Sequence, residues 1–439
     1  MKLLHLTACL LLAALLASCA NGRTETHVAH DTGPTPVLAE PQSHLIPTVD
    51  IAPAVGWKAG IGPVAAPGLA VSAFARGLDH PRTVYVLPNG DVLVAETNAP
   101  PKPDDGKGIK GAVMKAVMKK AGAGVPSANR ITLLRDADRD GVAEIRSVFL
   151  EGLHSPFGIA LVGGDLYVAN TDAVVRVPYR EGDTSIAAAP VKVVDLPAGT
   201  INHHWTKSMV ASADGLHLYV GVGSNSNVGE NGIENEVDRA AVLQIDLAAG
   251  VARVFASGLR NPTALAWQPH DGSLWVVVNE RDELGNDLVP DFLTSLRDGA
   301  FYGFPYSYYG QHVDTRMKPQ DPARVAQAIA PDYALGSHVA PLGLAFYTGH
   351  SLPPRFQGGA FIGLHGSWNR KPLSGYKVVY VPFQQGKPAG PIETVLDGFV
   401  DGDGDAQGRP VGIAQDGSGA LLVADDVGNT IWRLHAAMP

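Results

Sequence analysis

From about residue 68 onward, apolar residues fall into short runs of roughly five to seven positions, cut by turns carrying Gly, Asp or Asn, as strands do. One unit recurs: a proline, an apolar strand, a polar turn and a second apolar strand. It appears as HPRTVYVLPNGDVLVAET from His80, SPFGIALVGGDLYVANT from Ser155 and WTKSMVASADGLHLYVGVG from Trp205. It returns as NPTALAWQPHDGSLWVVVNE from Asn261, APLGLAFYTG followed by GGAFIGLHG from Ala340, and RPVGIAQDGSGALLVADD from Arg409. Further strand-like sequence follows most copies, such as NRITLLRD and EIRSVFLEG after the first. Six copies of a four-stranded unit predict an all-β, six-bladed β-propeller. Only NTIWRL follows the last copy, while GLAVSAFARGL at 68–78 stands alone before the first, so the N-terminal strand is expected to complete the last blade and close the ring. A sandwich or a pair of smaller β domains is the alternative. Two segments break the period. KGIKGAVMKAVMKKAGAG (107–124) reads as a basic amphipathic helix in a loop, a solvated flap or membrane-facing patch. Residues 281–335 form a long insertion with aromatics.

Composition narrows the class. The 439 residues are 45% hydrophobic with 50 Gly and 33 Pro, a turn-rich globular protein. Only 18% are charged and the formal net charge is −9, which leaves no basic face for a nucleic acid. Lys2, the apolar run Leu10–Ala17 and LASC ending at Cys19 read as a secretory signal closing in a bacterial lipobox, too short for a permanent span. The expected organisation is a signal at 1–19, a flexible tether at 20–66 rich in Pro, Thr and Ala, and a catalytic propeller at 67–439. Cys9 and Cys19 are the only cysteines, so the mature domain is expected to lack a disulfide and Cys19 to carry lipid. An Ala after Cys19 resembles outer-membrane lipoproteins. The expected place is the periplasmic side of a bacterial membrane, with a membrane electron acceptor within reach.

The innermost strands of a propeller start at the rim of its channel, so residues just before each repeat crowd one axial pocket. Those residues are His80, His154, His203, His204, Arg260, Asn261, His338 and Arg409. His365 and Arg370 follow in LHGSWNR, and Lys207 shares the corner TINHHWTKSM with the histidine pair. Convergent cations suit an anionic ligand, and a neutral histidine suits a general base. Zinc is disfavoured, because no fixed His spacing is present and the arginines repel a bare cation. Three acidic stretches suggest a hard cation instead. They are DADRDGVAE with Asp136, Asp138, Asp140 and Glu144, DGDGD with Asp401, Asp403 and Asp405, and NERDELGND at 279–287.

GLRNPTALAW, NERDELGNDLVPD with the following YGFPY, HVAPLGLAFY and GRPVGIA, in that order over roughly 68–435, resemble the soluble quinoprotein sugar dehydrogenases, in particular the sorbosone and aldose sugar dehydrogenase branch. The resemblance implies a six-bladed propeller using pyrroloquinoline quinone (PQQ) and calcium. It implies His204 as catalytic base with His203 in place of an acidic neighbour, and Arg260 and Asn261 over the quinone carbonyl. Calcium would lie on the carbonyls of Asp282 and Glu283. His338 stands where the family has a cofactor-contacting Thr, and His365 where it has a Lys that pairs with a cofactor carboxylate, Arg370 being a substitute. Arg409 matches one of two C-terminal arginines; the other position is Gln407. Lys207 is a further cofactor-binding candidate. The function implied is oxidation of a sugar or sugar aldehyde by base-assisted hydride transfer to the quinone. A calcium-dependent lactonase and a non-catalytic propeller that binds a glycan or partner are the alternatives.

Overall fold

The computed structural model describes residues 31–42, 48–101, 119–122 and 124–437. The signal, the lipobox with Cys19 and most of the basic 107–124 segment lie outside the described residues. Six antiparallel sheets follow one another along the chain. The first blade runs Pro81–Val86, Val92–Glu96, Arg130–Arg135, Ile145–Leu150, and the second Gly158–Val162, Asp165–Ala169, Ala173–Pro178, Val191–Asp195. The third is Met209–Ala211, His217–Val222, Ala241–Asp246, Val251–Ser257. The fourth is Pro262–Trp267, Leu274–Val278, Pro290–Ser295, Tyr333–Ser337, and the fifth Pro341–Phe346, Ala360–Leu364, Lys377–Val381, Glu393–Asp397. In the sixth, Pro410–Gln415, Leu421–Asp425 and Thr430–Ala436 are joined by Leu69–Arg76, from the start of the propeller, as the outermost strand. The ring therefore closes as its orphan strand foretells.

The burial of each strand explains its sequence. Second strands such as Val92–Glu96, Leu274–Val278 and Leu421–Asp425 are buried at every position, because neighbouring blades cover both faces, and they read as unbroken apolar runs. Outer strands such as Ile145–Leu150 are exposed at their starts. The core is divided into apolar clusters that join adjacent blades. Leu93 and Ile131 meet Ile159 and Val168 between the first and second, and Trp275 and Leu293 meet Ile362 and Val379 between the fourth and fifth. Val92 and Val94 meet Leu422 and Ala424 across the closure. Each such side chain stabilises the ring by about 1.5–3 kcal/mol on burial.

Residues 31–66 depart from the expected tether. Thr32–Gly33 adds an edge strand to the fourth blade and Val64–Ala65 to the fifth. The buried Asp31 carboxylate accepts from the Ser337 amide at 2.8 Å, Ala52 is fully buried, and Trp57 donates its indole N–H to Asp425 at 2.6 Å. The segment is a strap on the propeller. Its composition shows that it has no regular structure of its own, but two open blade edges supply hydrogen-bond partners that the sequence cannot display. Among the described residues no helix is long and apolar enough to cross a membrane.

Candidate active site

At one end of the channel, strand starts and strand exits from the blades surround a cavity of about 260 Å³. His80 and Arg82 enter from the first blade, His204 from the loop before the third, and Arg260, Asn261, Asn279, Glu280, Asp282, Asp291 and His338 from the fourth. The fifth supplies His365, Trp368 and Asn369, and the sixth Arg409 and Asp426. His80 and His338 hold left-handed backbone, φ 53° and 58°, which turns each chain sharply into its inner strand.

His204 is oriented by the third blade. Its Nδ1 lies 2.9 Å from the Ser224 carbonyl, an acceptor only, which assigns the proton to Nδ1 and leaves the lone pair on Nε2. Gly223 permits this packing: a Cβ there would sit 2.4 Å from both the His204 Cβ and the Asn261 Oδ1. Burial, reinforced by the Arg260 charge, pushes the imidazole down to about 3, so it is neutral at physiological pH.

Arg260 is fixed on every side. It donates to the Glu280 carbonyl at 2.6 Å, to the Asn227 side chain at 2.9 Å and to the Asp282 carboxylate at 3.2 Å. The other oxygen of that carboxylate accepts from Asn369 at 2.8 Å and lies 3.7 Å from His338 Nδ1. Burial alone would raise Asp282, but Arg260 and then His338 hold it near 2. Opposite, Asp426 Oδ2 accepts from Arg82 at 2.6 Å and from His365 Nε2 at 2.9 Å, with His80 Nε2 at 3.5 Å. Burial pushes His365 down to about 4 against the pull of Asp426. Arg409 lies over the Tyr376 ring at 4.9 Å and donates to the Ala52 carbonyl of the strap at 3.3 Å.

Seven buried polar atoms of the lining residues have no hydrogen-bond partner among the described residues: Arg82 Nε, Arg409 Nε, Asn261 Oδ1, Asn279 Oδ1, Asn369 Oδ1, Glu280 Oε1 and Asp426 Oδ1. Buried groups left this way cost free energy unless a polar ligand meets them. The lining thus offers two such donors, both arginine N–H groups, and five such acceptors, which suits a polar ligand that both donates and accepts.

The structure brings together His204, Arg260, Asn261, Asp282, His338, His365 and Arg409, and places other candidates elsewhere. Lys207 is fully buried behind His204, donating to the carbonyls of Trp205 at 3.3 Å and His204 at 3.5 Å; it does not line the cavity. His203 is exposed outside the lining. His154 is exposed too, its Nδ1 2.9 Å from Asp172. Arg370 clamps the acidic loop, donating to the Asn286 carbonyl at 2.9 Å and Asp287 at 2.8 Å. Glu283 is exposed, and the Asp282 carbonyl already accepts from Arg316 at 2.8 Å and Asn227 at 3.3 Å. A cation at 282–283 would meet two guanidinium groups, so calcium does not fit there. The Asp136, Asp138, Asp140 and Glu144 carboxylates lie within 4.8 Å of one another on the outer loop of the first blade, away from the cavity. Asp403 sits in an exposed turn whose 403 and 405 amides donate to Asp401, both at 3.0 Å. Sequence reasoning missed Arg82, Asn369 and Asp426, while Asn279 and Glu280 lie in the 279–287 stretch singled out there for a hard cation. The signal available for Asp426 was the polar residue at the exit of the second strand, in ADD.

The Glucose / Sorbosone dehydrogenase family model matches residues 164–367, and a TrAA12-like model matches 298–437. An uncharacterized protein of Borreliella burgdorferi is 28% identical over 293 residues, 64% of this chain and 76% of that protein. A PQQ-dependent pyranose dehydrogenase of Coprinopsis cinerea is 25% identical over 224 residues, 42% of this chain but only 30% of that longer protein. The holo PQQ domain of the Coprinopsis cinerea pyranose dehydrogenase superposes with a TM-score of 0.68 at 21% identity, covering 88% of this chain and all of that domain. The resemblance read from the sequence thus holds, carried by the Glucose / Sorbosone dehydrogenase match over residues 164–367 on an all-β propeller of six blades.

Proposed function

We propose that the chain is a PQQ-dependent dehydrogenase that oxidises a hydroxyl or hydrated aldehyde of a sugar. The observation that carries this reading is His204, neutral, with Nε2 free in a cation-rimmed cavity beside Arg260 and Asn261. The donor set suits the cofactor, whose carboxylates would meet Arg409 and Arg82, each with a buried N–H lacking a partner. When bound, PQQ supplies the acceptor for the hydride that leaves the substrate carbon. The protein's part is acid–base and electrostatic. His204 Nε2 accepts the proton of the substrate hydroxyl, and the Ser224 carbonyl holds the ring in the competent tautomer. Arg260, immobilised by Asp282, Asn227 and Glu280, provides fixed positive charge where the substrate oxygen becomes anionic. A lactonase would need a metal in this cavity, where three arginines stand among the lining carboxylates and most carboxylate oxygens already accept from arginine, histidine or amide donors, which favours the dehydrogenase.

If calcium has a place among the described residues, the four-carboxylate loop 136–144 has the donors for it, and its role there would be structural. We also propose that lipid on Cys19 holds the propeller to the periplasmic face of a membrane, near an electron acceptor.

The test is reconstitution of the purified chain with PQQ and dye reduction against aldoses and sorbosone. His204→Ala should lower turnover by roughly 10²–10⁴-fold while PQQ still binds. Loss of cofactor binding to the same degree as turnover would show that His204 is not the base.

A further inference from the structure

The partnerless atoms of the lining are unevenly matched to the cofactor. PQQ is rich in carboxylate and carbonyl acceptors and carries one pyrrole N–H, so it answers the arginine donors and leaves most of the five acceptors unmet. Two of those acceptors are fixed as such by their surroundings. Glu280 Oε2 accepts from the Arg281 side chain at 3.0 Å and the Arg281 amide at 3.2 Å, and the Glu280 amide donates to Asp291 at 2.7 Å. A carboxylate paired in this way accepts and does not donate, and its Oε1 has no partner among the described residues. Arg281 is fully buried outside the lining and is anchored in the 281–335 insertion, donating to the carbonyls of Pro305 at 3.1 Å and Ser307 at 2.7 Å and to Asp314 at 3.1 Å. The insertion that breaks the repeat therefore aims Glu280.

Asn369 is fixed from the other side. Its Nδ2 donates to Asp282 at 2.8 Å, which assigns the amide and leaves Oδ1 an acceptor without a partner among the described residues. The strap holds its backbone, through a bridge from Asp50 to Asn369 and the Asp50 amide donating to the Trp368 carbonyl at 3.0 Å. Glu280 and Asn369 are only 4% and 8% exposed, so water does not freely replace a missing partner. Both border the reacting end of the cavity. Arg260 donates to the Glu280 carbonyl at 2.6 Å and to the Asp282 carboxylate that Asn369 also holds.

We propose that Glu280 and Asn369 determine which sugar the pocket accepts, each receiving a hydrogen bond from a substrate hydroxyl other than the one oxidised. The proposal rests on the reading of the chain as a PQQ-dependent sugar dehydrogenase. It narrows the substrate to an aldose with at least two further free hydroxyls, and excludes simple aldehydes and sugars deoxygenated at either position. A hydroxyl supplies the donor that each oxygen lacks. An analogue without it leaves a buried acceptor unmet, the loss that gives polar sites their strongest discrimination.

The test loads the full chain with PQQ and offers D-glucose, D-galactose and D-xylose, then the monodeoxy derivatives of the fastest of them. Deoxygenation at two positions should each lower kcat/KM by roughly 10²-fold or more, and at the others by little. Glu280→Gln and Asn369→Ala should each shrink the discrimination at one of those positions and leave the other intact. PQQ affinity, read without sugar by fluorescence quenching, should fall far less than kcat/KM in both variants. Equal kcat/KM for all the deoxy derivatives in the unsubstituted protein, which needs no variant to fold, would overturn the proposal and leave the dehydrogenase standing. So would variants that slow parent and deoxy sugars alike, or that lose PQQ as far as they lose sugar. Bound PQQ that none of the aldoses reduces would remove the dehydrogenase reading, and this proposal with it.

Discussion

The Ser224 carbonyl fixes which nitrogen of His204 faces the cavity, and burial with Arg260 fixes when that nitrogen is a base. An ordinary histidine loses its basic form as pH falls through about 6.5. Here the imidazole is held near 3, so the neutral form persists well below that pH. The acid limb of kcat/KM is therefore expected below about pH 5, and a pH–rate profile checks it; an inflection between 6 and 7 would mean that His204 is not desolvated in the working enzyme. Gly223 gives a second test. Gly223→Ala forces a methyl against His204 and Asn261, and should cut turnover and cofactor affinity together with little change in the melting of the distant blades. His204, Arg260, Asn261, His338, His365 and Arg409 were legible because the repeat marks the rim. Lys207 and Arg370 were misread because a rim position says nothing about side-chain direction. Lys207 turns behind the strand and Arg370 reaches back to the 286–287 loop. Arg82 and Asp426 escaped notice because what distinguishes them is each other, across the closure of the ring.

Among elements, the strap is the part no pattern announced. Hydrophobic periodicity reports structure that a segment makes with itself, whereas Thr32–Gly33 and Val64–Ala65 are strands only because the fourth and fifth blades end in open edges. The strap also reaches the site. Trp57 donates to Asp425 at 2.6 Å, and the other oxygen of Asp425 accepts from the Arg409 amide at 2.8 Å. Trp57→Phe keeps the aromatic contacts with Phe399 and Trp432 but removes that donor, so it should cost about 1–3 kcal/mol of stability and loosen PQQ binding through Arg409. Denaturant unfolding and a cofactor titration measure the two effects; a loss of stability with unchanged PQQ affinity would confine the strap to a structural role. The acidic loop of the first blade carries a separate expectation. Millimolar calcium should raise the melting temperature, and Asp138→Asn should erase the rise without altering PQQ binding.

At the scale of the molecule, six sequence copies translate into six blades because each unit is covered only by its neighbours, and the seam is sealed by pairing Leu69–Arg76 with Thr430–Ala436. That architecture was readable from period alone. The merging of strand ends from five of the six blades into one cavity was not, since it depends on which side chains meet across blades. The lipid proposed on Cys19 carries its own expectation. Cys19→Ser should move active protein from the membrane to the soluble fraction, and retention after a salt wash would contradict lipid as the sole anchor. The central claim, that the axial cavity oxidises a sugar with a bound quinone and His204 as base, is tested most directly by a single turnover without an external acceptor. PQQ-loaded protein is mixed anaerobically with an excess of each aldose or sorbosone while the cofactor spectrum is followed. The account predicts complete reduction by at least one sugar in the unsubstituted protein and a roughly 10²–10⁴-fold slower reaction in His204→Ala. Bound quinone that stays oxidised with every sugar, or is reduced equally fast in both proteins, would contradict it.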